Sequence, residues 1–168
     1  MCPHQDGAFL YTEPQSCLGF WWPLDDCTLE NGCLYAVPGS HKLGVHRRLR
    51  RKDAPEEGTG VNFETKNGKK LLPVKFNSEF FPLEAPNWDE ELKSAVPLET
   101  KKGTLVILHN ALIHYSNENN HPTDARHAYS IHVVDGREGV TYPEDNWLQR
   151  PKEYPFQEIT ARYSVTRM

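Results

Sequence analysis

Residues 17–41, CLGFWWPLDDCTLENGCLYAVPGSH, read as strand, turn, strand, turn. The run 17–24 is apolar and of strand length, and Asp25-Asp26 stop it. Residues 28–32 form a reversal, because Asn31-Gly32 supplies the positive φ that a tight turn requires. Residues 33–37 are a buried strand, and Pro38-Gly39-Ser40-His41 turn the chain again. Upstream, residues 8–13 (AFLYTE) carry the aromatic and β-forming side chains of a further strand, closed by Pro14. The first forty residues therefore predict three strands and no helix.

The rest of the chain extends this pattern. Residues 45–58 are polar and basic around the run HRRLRRK at 46–52, which reads as a solvated loop or, functionally, as a patch for an anionic substrate group. Residues 59–97 form an elaborated connection, with a hairpin turn at Asn67-Gly68. A short helix is expected over 88–95, capped by Asn87 with Asp89 and Glu90 in its first turn. Residues 103–108 are the clearest apolar strand and end in His109-Asn110; residues 112–116 follow after a bend. Residues 126–134 (RHAYSIHVV) alternate, with Arg126, Ala128, Ser130 and His132 on one face and His127, Tyr129, Ile131 and Val133 on the other. Many short strands, tight turns and little helix predict an all-β barrel or sandwich.

Composition bounds the function. A chain of 168 residues, 38% hydrophobic with net charge −4, suits one domain with a real core. No run approaches the roughly 20 apolar residues of a membrane span. The start, Met-Cys-Pro-His, has no signal-peptide pattern and the end no peroxisomal tripeptide, so a cytoplasmic location is expected. Cys2, Cys17, Cys27 and Cys33 form no C-x-x-C pair, which argues against a zinc knuckle and for reduced thiols. The acidic balance argues against nucleic acid as a partner.

Residues 3–7, PHQDG, carry the chemistry. His4 and Asp6 stand two apart, so on an extended backbone both leave from one face. An imidazole and a carboxylate from one strand are two members of the 2-His-1-carboxylate set of non-haem iron(II) oxygenases, which leaves coordination positions open for co-substrate and O2. The third ligand comes from His41, His46, His109, His114, His121, His127 or His132, and spacing alone does not choose. His114 is favoured because it follows an apolar strand and precedes the alternating strand that begins with Arg126. An arginine there suits the distal carboxylate of 2-oxoglutarate, which its planar fork binds bidentately.

The sequence resembles the phytanoyl-CoA dioxygenase family of iron(II)/2-oxoglutarate oxygenases. The shared words are PHQD at 3–6, FLYTEP at 9–14, LGFW at 18–21, D-x-TLENGCL at 26–34, PGSH at 38–41, LVILH at 105–109 and R-x-AY at 126–129. A late PEDNWLQ at 143–149 is similar to particular members only. The resemblance implies a double-stranded β-helix (jelly roll) with iron(II) held by His4, Asp6 and His114, while His109 matches a family histidine that is not a ligand. It implies that Arg126, Trp21 and Ser116 line the 2-oxoglutarate pocket. Family members carry early jelly-roll strands ahead of H-x-D, so residues 1–168 are expected to be one partial domain lacking its N-terminal strands. The connection through 47–97 and the spacing from His114 to Arg126 are longer than the family pattern.

The expected activity is hydroxylation of a small molecule, an acyl or CoA-ester compound by the family's name, with O2 consumed and succinate and CO2 released. Asp6 sets the chain apart from related halogenases, which leave this carboxylate position empty for halide. Two rival classes share the architecture: a catalytically silent jelly-roll protein that keeps the motif, and a cupin-like isomerase or sugar-binding module. The cupin has no use for Arg126.

Overall fold

The computed structural model describes residues 1–51, 56–57, 74–75, 78–81 and 87–159. Its strands are β1 (Leu18–Pro23), β2 (Leu34–Ala36), β3 (Arg48–Arg51), β4 (Glu56–Glu57), β5 (Val74–Lys75) and β6 (Ser78–Phe81). One short helix, α1 (Asp89–Leu92), follows, then β7 (Val96–Leu98), β8 (Val106–His109), β9 (His114–Ser116) and β10 (Ala128–Val133). Two three-stranded antiparallel sheets organise them, in the orders β10-β1-β8 and β7-β2-β9.

The two sheets meet through the side chains the sequence marks as apolar. Trp21 and Leu108 from the first sheet pack with Leu34 of the second, and Cys27 and Cys33 fill the join. A second cluster of Val37, Trp88 and Ile113 is closed by Leu92 and Ala95, which is why the α1 segment docks where it does. Its N-cap is Trp88 rather than the expected Asn87, whose side-chain oxygen accepts the Asp89 N–H at 2.9 Å in a local turn just ahead of the helix. No described helix is long and apolar enough to cross a membrane.

The turn joining β1 to β2 shows how the Asn-Gly pair works here. Only Gly32 takes a positive φ, +82°. Asn31 contributes its side chain instead: Oδ1 accepts the Thr28 N–H at 2.9 Å and Nδ2 donates to the Asp26 carbonyl at 2.8 Å. A Cβ at position 32 would lie 2.9 Å from the Asn117 carbonyl oxygen.

Two expectations are corrected. Residues 8–13 do not form a strand. The Ala8 N–H turns back to the Gln5 carbonyl, and the Phe9 and Leu10 N–H groups both reach the Asp6 carbonyl, so the backbone is spent on a 3₁₀ turn over Asp6–Ala8. Only Glu13 pairs, in an isolated bridge with Thr141. The basic run, read as a solvated loop, contains β3, which pairs with β6 from Arg48↔Phe81 to Arg51↔Ser78. Two of its arginines meet the tail: Arg48 bonds Asp145 and Asn146, and Arg50 lies 3.6 Å from Asp145. The expected turn at Asn67-Gly68 lies outside the described residues.

On β10 the alternation is as expected. Ala128 packs on the core, and Tyr129 and Ile131 face outward. Across β1 they meet Trp22 and Phe20, giving the outer face of this sheet an aromatic and aliphatic stripe.

Candidate metal centre

The first ligand-type side chain is positioned by backbone pairing. His4 donates its N–H to the His114 carbonyl and accepts the His114 N–H, both at 3.1 Å, so the chain start runs antiparallel beside β9. Gln5 continues extended, at φ −126° and ψ 129°, and the 3₁₀ turn begins at Asp6. His4 and Asp6 thus converge as H-x-D predicts, although the extended stretch ends at Gln5. Gly7 permits the turn: a Cβ there would sit 2.8 Å from Val45 Cγ2 and 3.2 Å from Asn110 Cβ.

Between the two lies a residue that sequence reasoning missed. The Gln5 side chain is 1% exposed and ties three loops together. Its Nε2 donates to the Gly44 carbonyl at 2.8 Å and the Ala111 carbonyl at 2.7 Å, and its Oε1 accepts the His46 N–H at 2.9 Å. Gln5→Ala leaves these buried groups without partners and is expected to cost about 2–3 kcal/mol, read as a lowered urea midpoint at unchanged m-value.

His4, Asp6 and His114 bring their ligand atoms within 4.8 Å of one another. Asp6 Oδ1 stands 3.7 Å from His4 Nε2 and 3.7 Å from His114 Nε2. Each imidazole is fixed from behind: His4 Nδ1 is 2.9 Å from the Cys2 carbonyl and His114 Nδ1 is 3.0 Å from the Leu112 carbonyl. A carbonyl only accepts, so both protons sit on Nδ1 and both Nε2 lone pairs face Asp6. That tautomer is the one a metal requires.

The electrostatics agree. Burial holds the His4 pKa below its ordinary value, and the neighbouring His114 lowers it further, which favours neutral imidazole. Burial pushes the Asp6 pKa up. The close contact with His132 and the positive charge that His114, His132 and His4 carry when protonated outweigh this, leaving it below the ordinary carboxylate value. Asp6 Oδ2 is buried and makes no hydrogen bond, and His132 Nε2 is a close polar neighbour at 3.2 Å. A buried carboxylate with two neutral imidazoles presenting lone pairs is the donor set of a divalent transition metal.

The remaining histidines are sorted by their partners. His41 and His109 face each other at 5.2 Å between ring centroids, and His109 Nδ1 accepts the Ala111 N–H. His46 Nδ1 accepts from Trp88 Nε1, His121 caps Thr123 and Asp124, and His127 pairs with Asp25 at 2.9 Å. His132 reaches Asp6, its Nε2 3.2 Å from Oδ2.

Arg126 lies beside the core, its Cζ 5.7 Å from the centroid of the Trp21 ring. Its charge is felt by the Cys27 and Cys33 thiols, whose pKa values are nonetheless raised, chiefly by burial. Arg126 Nε is buried and makes no hydrogen bond. The segment is anchored next door, where Asp25 accepts both the backbone N–H and the ring nitrogen of His127. Ser116, 7% exposed, lies two residues after His114 on β9, opposite Leu34. Thr100 Oγ1 is also buried without a hydrogen bond, and its backbone pairs with Cys27.

Residues 1–128 match the phytanoyl-CoA dioxygenase (PhyH) family. The chain is 43% identical over 150 residues to a phytanoyl-CoA dioxygenase of Arabidopsis thaliana, covering 89% of this chain and 44% of that protein. It is 38% identical over 158 residues to phytanoyl-CoA dioxygenase domain-containing protein 1 of Mus musculus, covering 94% and 46%. The chain therefore spans under half the length of these curated relatives. Among solved structures, the non-heme alpha ketoglutarate dependent carbocyclase SnoK from nogalamycin biosynthesis superposes with a TM-score of 0.54 at 19% identity, over 92% of this chain and 55% of that one. The apo non-heme monooxygenase ThoJ gives 0.50 at 21% identity, over 84% and 41%. These likenesses establish the jelly-roll fold.

Proposed function

The chain belongs to the phytanoyl-CoA dioxygenase (PhyH) family, and on that footing we propose that it is an iron(II)- and 2-oxoglutarate-dependent dioxygenase acting on a small molecule. One observation carries this reading: His4 and His114 have their Nδ1 protons tied to carbonyl oxygens, and both Nε2 atoms face the Asp6 carboxylate.

In this reading His4, Asp6 and His114 hold iron(II) on one face. Iron(II), when bound, supplies the O2 activation and oxidative decarboxylation of 2-oxoglutarate that release succinate and CO2 and hydroxylate a C–H bond. The protein contributes ligand geometry, a co-substrate anchor and exclusion of water. The Cys2 and Leu112 carbonyls keep the two imidazoles in the ligand tautomer and orientation. Arg126, with a buried Nε free of any internal hydrogen bond, receives the distal carboxylate of 2-oxoglutarate. Trp21 forms the wall under that guanidinium, and the Ser116 hydroxyl supplies a polar contact on the β9 side. The stacked apolar cluster behind Trp21 keeps the anchor dry.

The substrate class proposed for screening is acyl compounds and their CoA esters. Arg48 and Arg50, within the basic run, are engaged with Asp145 and Asn146. The function is tested anaerobically. Iron(II) followed by 2-oxoglutarate should produce a metal-to-ligand charge-transfer band, and admission of air should yield succinate. A well-folded chain that shows neither sinks the proposal.

A further inference from the structure

The metal-site reading leaves one side chain without a role. We propose that His132 is a positioning residue that fixes the Asp6 carboxylate, holding Oδ2 so that Oδ1 is the oxygen presented with His4 Nε2 and His114 Nε2. The inference rests on the proposed metal site and extends it by one residue.

The distances divide the two oxygens cleanly. Oδ1 is 3.7 Å from each of the two ligand nitrogens. Oδ2 is 3.2 Å from His132 Nε2. A carboxylate turns about a broad two-fold torsion, so its backbone position does not decide which oxygen faces the metal. The backbone of Asp6 is already committed, its carbonyl accepting from Phe9 and Leu10. Something must fix the side chain separately, and His132 Nε2 is the ring nitrogen within reach of Oδ2, at 3.2 Å.

The sheet is built to allow this contact. His132 on β10 stands directly opposite Gly19 on β1. A Cβ at position 19 would lie 2.9 Å from Asp6 Oδ2 and 3.4 Å from His132 Nε2, beside their contact and crowding the carboxylate. Gly19 is therefore the gap through which a strand-borne imidazole reaches a carboxylate on another segment. A β-strand interior is weakened by glycine, so its presence here answers a demand for close approach. His132 is one-third exposed at its side chain while Asp6 is 8% exposed, so the imidazole closes the carboxylate from the open side.

Cobalt(II) titration of the purified chain tests this, because visible absorption reports both affinity and ligand geometry. His132→Leu should weaken cobalt(II) binding by about tenfold or more and change the visible bands, the usual scale for losing an outer partner of a ligand. His132→Gln keeps an N–H donor of similar reach and should restore most of the affinity and the parent spectrum. A leucine variant with parent affinity and spectrum overturns the proposal, as does a glutamine variant as impaired as leucine. If His132→Leu does not fold, Gly19→Ala separates the same pair without removing either member. It should reproduce the spectral change, and an unchanged spectrum overturns the proposal. Failure of the parent chain to bind cobalt(II) is a different result, since it removes the metal-site reading and this inference together.

Discussion

Replacing Asp6 by alanine is expected to abolish the anaerobic charge-transfer band that iron(II) and 2-oxoglutarate produce, with metal affinity falling more than about a hundredfold. Loss of an outer partner alone costs roughly 10–100-fold, and loss of the only anionic donor must exceed it. Asp6 contributes the one carboxylate in a group whose other members are imidazoles. His114→Ala should have a comparable effect, because its Nε2 faces the same Oδ1 from β9. His109→Ala supplies the contrast. His109 packs against His41 and accepts the Ala111 N–H, so its loss should leave the band in place. A band that survives Asp6→Ala, or disappears with His109→Ala, moves the metal away from this cluster.

Arg126→Ala carries the second large expected effect. Anaerobic titration of 2-oxoglutarate into the iron(II)-loaded chain should show affinity reduced by about 3 kcal/mol, roughly 150-fold, the range for truncating one partner of a buried charge pair. Arg126 Nε has no internal hydrogen bond to lose, so the folded chain should tolerate the change. Arg126→Lys should recover only part of the affinity, since a point charge replaces a planar fork. An alanine variant that binds 2-oxoglutarate normally would separate Arg126 from the co-substrate.

Much of this was legible in the sequence because short-range chemistry dictated it. The apolar run ending at His109 and the alternation of 126–134 became neighbours of β1 in one sheet, as strands of that pattern should. H-x-D marked a convergent pair because its first residues are extended. Where sequence reasoning failed, a backbone turn or a distant partner had overridden the side-chain pattern. Residues 8–13 look strand-forming, but Asp6 captures two of their N–H groups and commits them to a turn. The arginines at 48 and 50 look solvated until Asp145 and Asn146 arrive from the tail. The third ligand was open among seven histidines, and only tertiary placement separates His114 and His132, which reach Asp6, from His109, which does not. Gln5 gave no signal, since a glutamine between two candidate ligands is ordinary until its three partners are in place.

The reciprocal backbone bonds between His4 and His114 add a topological consequence. Ligands drawn from the chain start and from β9 make any bound ion a staple across a very long loop, and closing such a loop removes entropy from the unfolded chain more than from the folded one. Occupancy of the centre and docking of the segment that carries His4 and Asp6 are then coupled. That segment, held to β9 by the His4–His114 backbone pair, would change its resistance to proteolysis with the metal, making nicking within it a register of how much of the protein is loaded.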